Sequence, residues 1–171
     1  MLVLVCGLPG TGKSTVAERV AELLPARLLR TDVVRKELFP EPTYAAAESA
    51  AVYDELLNRA RETLAAGDHV VLDATFRRRE LRERAAGVAD DTDTEYQLVR
   101  VDCAESVVRE RIRKRQTEED DESDADYAIY TKLKDEFEPI EGDDHLVIDN
   151  SGALSETLDA VDEAFRAVAT A

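Results

Sequence analysis

Leu2-Val3-Leu4-Val5-Cys6-Gly7-Leu8-Pro9-Gly10-Thr11-Gly12-Lys13-Ser14-Thr15-Val16 begins one residue into the chain, and its reading decides the fold. Leu2 to Cys6 is an unbroken apolar run, the pattern of a strand covered on both faces in a parallel sheet. Gly7 to Ser14 matches G-x-x-x-x-G-K-[ST], and a helical stretch follows with Val16, Val20, Leu23 and Leu24 on one face. Strand, glycine loop and helix in that order make a phosphate cradle. Glycines let successive N–H groups curl around phosphate oxygens, and the helix start adds partial positive charge. Lys13 brings a full charge to the β- and γ-phosphates of a nucleoside triphosphate, and Ser14 offers a hydroxyl to Mg²⁺. The expected nucleotide-binding residues are Gly7, Pro9, Gly10, Thr11, Gly12, Lys13, Ser14 and Thr15.

The rest of the chain alternates strand and helix patterns. Leu28 to Arg30 reads as a short strand, and Val33 to Leu38 as a short helix broken at Phe39-Pro40. Thr43 is placed to cap an Ala-rich helix that runs to about Ala66 and stops at Gly67. His69 to Leu72 is a buried strand with Asp73 at its carboxyl end, followed by an Arg/Glu-laced helix over Arg77 to Ala86. Glu95 to Val101 is a further strand and Glu105 to Arg115 a basic helix. The acidic stretch Thr117 to Asp126 reads as a loop before a helix from about Ala125 to Glu138. His145 to Ile148 makes a fifth strand, Asp149 to Gly152 a turn, and Ser155 a cap for a last helix. Such alternation implies parallel crossovers. The expectation is an α/β, P-loop NTPase fold: a five-stranded parallel sheet with helices on both faces and a lid segment near residues 111–126, residues 1–171 forming one domain.

Composition narrows the partners. The 171 residues carry 38 acidic and 22 basic side chains, a net charge of −16. Chains of this length, below about 250 residues, normally make one core. The acidic excess argues against a surface built to wrap a nucleic-acid backbone, which needs clustered Lys and Arg. Of the 22 basic residues 17 are Arg, and with few aromatics this composition resembles proteins of high-salt cytoplasm, whose carboxylate shell holds water while salt screens self-repulsion. Cys6 and Cys103 belong to no disulfide framework or metal-site spacing and read as small apolar residues in a reducing compartment. The run Leu2 to Cys6 is too short for a signal or a membrane span. A cytoplasmic protein with no membrane contact is expected.

Five further residues carry candidate chemistry. Asp32 and Arg35 follow the second strand: a carboxylate there can take the proton of an attacking hydroxyl and an arginine can hold a substrate, or the pair is a helix cap and ordinary helix surface. Asp73 is placed to order the water around Mg²⁺, or to cap a turn. Arg111 and Arg115, four apart on a helix, can close over a triphosphate, or they pair with neighbouring acids such as Glu110. Arg109 and Arg113 read as solvated. Glu118 to Asp126 reads as a hydrated lid hinge rather than a metal site, because adjacent acids lack a fixed ligand geometry. The guanine-reading Asn-Lys-x-Asp of GTPases is missing.

Over most of its length the chain resembles small P-loop kinases: the kinase domain of polynucleotide kinases, the zeta-toxin-like sugar-nucleotide kinases and a large group of predicted kinases. The resemblance rests on Gly7 to Thr15, Thr31 to Leu38, Val70 to Phe76, Arg111 to Arg115 with Ser123-Asp124-Ala125, and Val147 to Asp149. It implies that Asp32 is the general base on the acceptor hydroxyl, that Arg35 binds the acceptor, that Arg111 or Arg115 is the lid arginine, and that Asp149 to Gly152 lies near adenine. The activity so implied is ATP- and Mg²⁺-dependent transfer of the γ-phosphoryl group to a hydroxyl of a small metabolite or a nucleoside- or nucleotide-like acceptor. Phe39 to Asp54 contains no basic residue, a departure that argues against a polynucleotide substrate. A 5′-hydroxyl polynucleotide kinase and a nucleotide-binding regulator or slow ATPase are the alternatives, and no protein partner is implied.

Overall fold

A computed structural model describes the backbone of residues 1–118, 123–142 and 144–169, and side chains within 1–114, 127–142 and 144–168. Its elements in order are β1 (Leu2–Cys6), α1 (Lys13–Leu23), β2 (Ala26–Arg30), α2 (Thr31–Leu38), α3 (Ala46–Ala65), β3 (His69–Asp73), α4 (Arg79–Asp91), β4 (Tyr96–Asp102), α5 (Glu105–Glu118), α6 (Ser123–Glu136), β5 (His145–Asp149) and α7 (Leu154–Ala169). The five strands are parallel, in the order β2-β3-β1-β4-β5. This is the α/β, P-loop NTPase architecture expected from the opening strand, loop and helix.

The apolar run of β1 is continuous because β1 is the central strand, covered on both faces. Leu2, Leu4 and Cys6 enter one core with Leu56 and Ala60 of α3 and Val88 of α4. Val3 and Val5 enter the other with Val16 and Val20 of α1 and Val161 and Phe165 of α7. The connection from β1 leads to one edge of the sheet and that from β4 to the other, so the carboxyl edge between these strands is a crevice suited to a ligand. A third cluster of Val108, Ile112 and Tyr130 packs with Leu8 and seats the α5–α6 hairpin against the glycine loop.

Several boundaries depart from expectation for local reasons. Helix α2 begins at Thr31 rather than Val33, with Arg30 as its extended N-cap; an acid in the first turn favours that start. Thr43 is not the cap of α3, whose N-cap is Ala45. Instead Glu48 reaches back, and its carboxylate accepts from Thr43 N (2.8 Å), Thr43 Oγ1 (2.9 Å) and Tyr44 N (3.2 Å). Ser155 lies inside the first turn of α7, where Glu156 accepts from Ala153 N at 3.3 Å. Helix α4 runs on to Asp91 because Val88 and Ala89 still face the core. Helices α5 and α6 enter the expected acidic loop from both sides, reaching Glu118 and starting at Ser123; the remainder of that stretch, residues 119–122, lies outside the described residues. Among the described residues no helix is long and apolar enough to cross a membrane.

Candidate active site

The glycine loop is held where only glycine fits. Gly12, the N-cap of α1, sits at φ +83, and a Cβ there would lie 2.1 Å from Asn150 Nδ2. A Cβ on Gly7 would lie 2.7 Å from the Val101 carbonyl oxygen, so β1 and β4 approach as closely as the backbone allows. Thr11 Oγ1 donates to the Leu8 carbonyl at 2.7 Å and closes the turn. Pro9 and Thr15 are half-buried on either side.

Lys13 opens α1 and is half-buried. Burial lowers its pKa, while Asp73 and then Asp32 pull it back up, so both carboxylates act on one ammonium. Ser14 Oγ donates to Asp73 Oδ2 at 2.8 Å, and Arg30 Nε stands 3.5 Å from the same oxygen. Asp73 is only 5% exposed. Desolvation raises its pKa, against the Ser14 hydrogen bond and the charges of Lys13 and Arg30. The Ser14 hydroxyl and the Asp73 carboxylate are hard oxygen donors. Mg²⁺ is typically held by one or two such groups together with substrate phosphates and water, so this pair fits that ion.

Asp32 is exposed on the first turn of α2, close enough to Lys13 and Asp73 to affect the pKa of both. Arg35 is placed differently. Its guanidinium is buried, donating to Glu48 Oε1 at 2.6 Å and to Ser49 Oγ at 3.1 Å beneath the Tyr44 ring, 4.8 Å from the ring centre. The Thr43 backbone N–H, followed by Arg35, the Thr43 hydroxyl and the Tyr44 N–H, holds the Glu48 pKa down at about 2. The structure therefore groups Asp32 with Lys13 and Asp73, and ties Arg35 into the α2–α3 junction.

On the opposite side of the loop, Arg111 Nη2 donates to the Asn150 carbonyl at 2.7 Å, and Nη1 lies 3.4 Å from Cys103 Sγ. The side chain of Arg115 lies outside the described residues. Arg109 stacks on Tyr127 at 4.6 Å, and Arg113 is exposed. Asn150, which sequence reasoning placed in a turn near adenine with no role of its own, is a junction. It is buried, its Nδ2 donates to the Thr11 carbonyl at 2.8 Å, and its Oδ1 accepts from Thr157 at 2.7 Å. The signal that could have found it is positional: like Asp73, it is a polar residue at the carboxyl end of an apolar strand.

A family model described as an AAA domain matches residues 2–140. Uncharacterized proteins of Mycobacterium tuberculosis and Mycobacterium bovis are 39% identical over 123 residues, a match covering 65% of this chain and 25% of each relative. The chain thus spans about a quarter of the length of those curated relatives. Among solved structures, a gluconokinase from Sinorhizobium meliloti superposes with a TM-score of 0.70 at 22% identity, covering 98% of this chain and 93% of that one. The Mycobacterium tuberculosis APS kinase CysC, in complex with AMPPNP and APS, gives 0.71 at 22% identity over 96% of each chain. Kti12 of Chaetomium thermophilum, in complex with ADP-AlF3, gives 0.72 at 20% identity over 98% and 99%. At these identities the likeness shows the fold.

Proposed function

The chain belongs to the AAA-domain family whose model matches residues 2–140, and on that basis we propose an ATP-dependent kinase that moves the γ-phosphoryl group to a hydroxyl of a small acceptor. The observation that carries this reading is the grouping of Lys13, the Ser14–Asp73 pair and Asp32 around one loop. The loop's N–H groups and Lys13 bind the triphosphate. Asp32 takes the proton from the acceptor hydroxyl as its oxygen bonds to the γ-phosphorus; the bond from that phosphorus to the β–γ bridging oxygen breaks and ADP leaves. Ser14 and Asp73 would hold Mg²⁺, which supplies charge neutralisation on the phosphate oxygens. Arg111, anchored beside the loop on the Asn150 carbonyl, is the candidate lid arginine, and residues 1–171 act as one kinase domain with a lid near residues 111–126.

Two observations favour a small acceptor over a polynucleotide. Phe39 to Asp54 brings no basic residue to the acceptor side, and Arg35 is neutralised by Glu48. The likeness to a gluconokinase and to an APS kinase supports the same reading.

Labelled ATP offered with a metabolite panel and with short oligonucleotides tests it. Asp32→Asn is expected to keep nucleotide binding and lose transfer by about 10²–10⁴-fold, whereas Lys13→Ala loses both. Transfer untouched by Asp32→Asn would refute the base assignment. ATP turnover that no hydroxyl compound changes would point to a regulator or slow ATPase.

A further inference from the structure

We propose that the cleft between the phosphate loop and α6 is an acid-binding subsite, in which Arg100 holds a carboxylate or phosphate group of the acceptor. The inference rests on the kinase reading and names the substrate class: small hydroxylated acids, in preference to neutral alcohols. The cleft has a volume of about 230 Å³, room for about eight waters at about 30 Å³ each. That suits a metabolite and not a polymer. Gly7, Leu8 and Thr11 of the phosphate loop line it, with Tyr130 and Phe137 as its aromatic lining.

Its charged lining is Arg100, Asp102 and Lys134. Lys134 Nζ bonds Glu105 at 2.9 Å, and Arg100 Nη2 bonds Asp102. Among the described residues, Arg100 Nε is buried with no hydrogen-bond partner. Native folds seldom leave such a donor unmatched, and the planar guanidinium fork matches the oxygens of a carboxylate or phosphate. Position also fits. Gly7, Leu8 and Thr11 of the phosphate loop line the same cleft as Arg100, so an acid held at Arg100 lies beside that loop.

Cys103 lines the cleft and gives a reporter that needs no knowledge of the natural acceptor. The other thiol, Cys6, is fully buried with its pKa pushed up to about 12, so alkylation of the folded protein reads Cys103. Iodoacetate carries a carboxylate and iodoacetamide does not, while both attack the same thiolate, so their rate ratio cancels the thiol's own pKa. The ratio at Cys103 is expected to exceed that of free cysteine by about tenfold, the lower end of what a charged cleft achieves. Because the Arg111 guanidinium lies 3.4 Å from Cys103 Sγ, the two arginines are separated in an Arg111→Gln background, where Arg100→Gln should return the ratio to the free-cysteine value or below and Arg100→Lys should keep most of it. Saturating AMP-PNP should leave the preference in place, and inorganic phosphate or acetate should protect Cys103, whichever protects naming the acid. A wild-type ratio at the free-cysteine value, a preference that follows Arg111 instead of Arg100, protection by neither anion, or loss with AMP-PNP would each overturn the proposal. If Arg100→Gln fails to fold, the wild-type ratio, the protection arms and Arg100→Lys still decide. Because alkylation requires no turnover, a baseline ratio with phosphoryl transfer intact would remove the subsite alone. A raised ratio with no transfer to any hydroxyl would remove the kinase reading alone.

Discussion

Asn150 Nδ2 donates a 2.8 Å hydrogen bond to the Thr11 carbonyl, joining the turn after β5 to the phosphate loop across 139 residues of chain. The same side chain accepts from Thr157 Oγ1, and its own carbonyl receives Arg111. One buried residue thus links the loop and the last helix through its side-chain amide, and Arg111 through its backbone carbonyl. Asn150→Ala strips partners from a buried carbonyl and a buried hydroxyl, at a cost of about 1–3 kcal/mol. We expect a lower melting temperature and weaker AMP-PNP binding by calorimetric titration. Asn150→Asp should do worse for the nucleotide, since an acceptor-only carboxylate faces the Thr11 carbonyl. Unchanged AMP-PNP affinity in both variants would deny the residue its hold on the loop.

Two glycines with similar backbone angles should respond differently to alanine. Gly12 lies at φ +83 with Asn150 Nδ2 at 2.1 Å from any added Cβ. Gly67 lies at φ +92, and a Cβ added there would meet nothing within 4 Å among the described residues. Gly67→Ala carries only the left-handed backbone penalty, about 1–2 kcal/mol, and nucleotide binding should persist. Gly12→Ala adds the collision and displaces either the loop or Asn150, so AMP-PNP binding should fall by more than about tenfold even where the fold survives. Equal nucleotide affinity in the two variants would contradict the close approach.

The Arg35–Glu48 pair makes a pH prediction. The folded-state pKa of Glu48 is held at about 2, below the ordinary value of 4.5, by the Thr43 backbone N–H and then by Arg35, the Thr43 hydroxyl and the Tyr44 N–H. A depressed carboxylate pKa contributes stability that is whole above the unfolded value and is lost as pH falls through the folded one. Glu48→Gln should therefore be less stable than the wild type at neutral pH. The gap should narrow as pH falls below about 4.5. Urea unfolding of both proteins across this range would show it, and a gap constant with pH would mean that packing, not charge, holds α2 against α3.

How far the sequence could be read follows the range of the interactions. The opening strand, loop and helix were legible because their signals are local: an apolar run, a spacing, and a helical period that all agree. Asp73 was legible as the last residue of a similar run, and it does reach Ser14. Arg35 was not, because its partner Glu48 lies on another helix and no spacing rule couples positions across a broken segment. Asn150 has partners at Thr11, Arg111 and Thr157, which only the folded sheet brings together. The start of α2 was misjudged because Thr31-Asp32 suits both a cap and a first turn. Arg100, half-hidden at the end of β4, gave no signal beyond strand alternation.

Arg111 leaves a final separation to make among the arginines of α5. Its guanidinium is anchored on the Asn150 carbonyl and lies 3.8 Å from where a Cβ on Gly12 would stand, so it neighbours the phosphate loop before any nucleotide arrives. Arg113, one residue past Ile112 on the same helix, is exposed. If Arg111 stabilises charge on the transferring phosphoryl group, Arg111→Gln should lower kcat by about 10²–10³-fold, the usual loss for one preorganised donor. AMP-PNP affinity should change far less, because the charge it answers develops mainly in the transition state. Arg113→Gln should leave both quantities within about twofold, as surface substitutions generally do. Single-turnover transfer from labelled ATP, read beside calorimetric affinities, separates the two effects. Were Arg115→Gln to reproduce the kcat loss while Arg111→Gln did not, the lid arginine would be Arg115, and the contact between Arg111 and Asn150 would be a structural brace of the turn after β5.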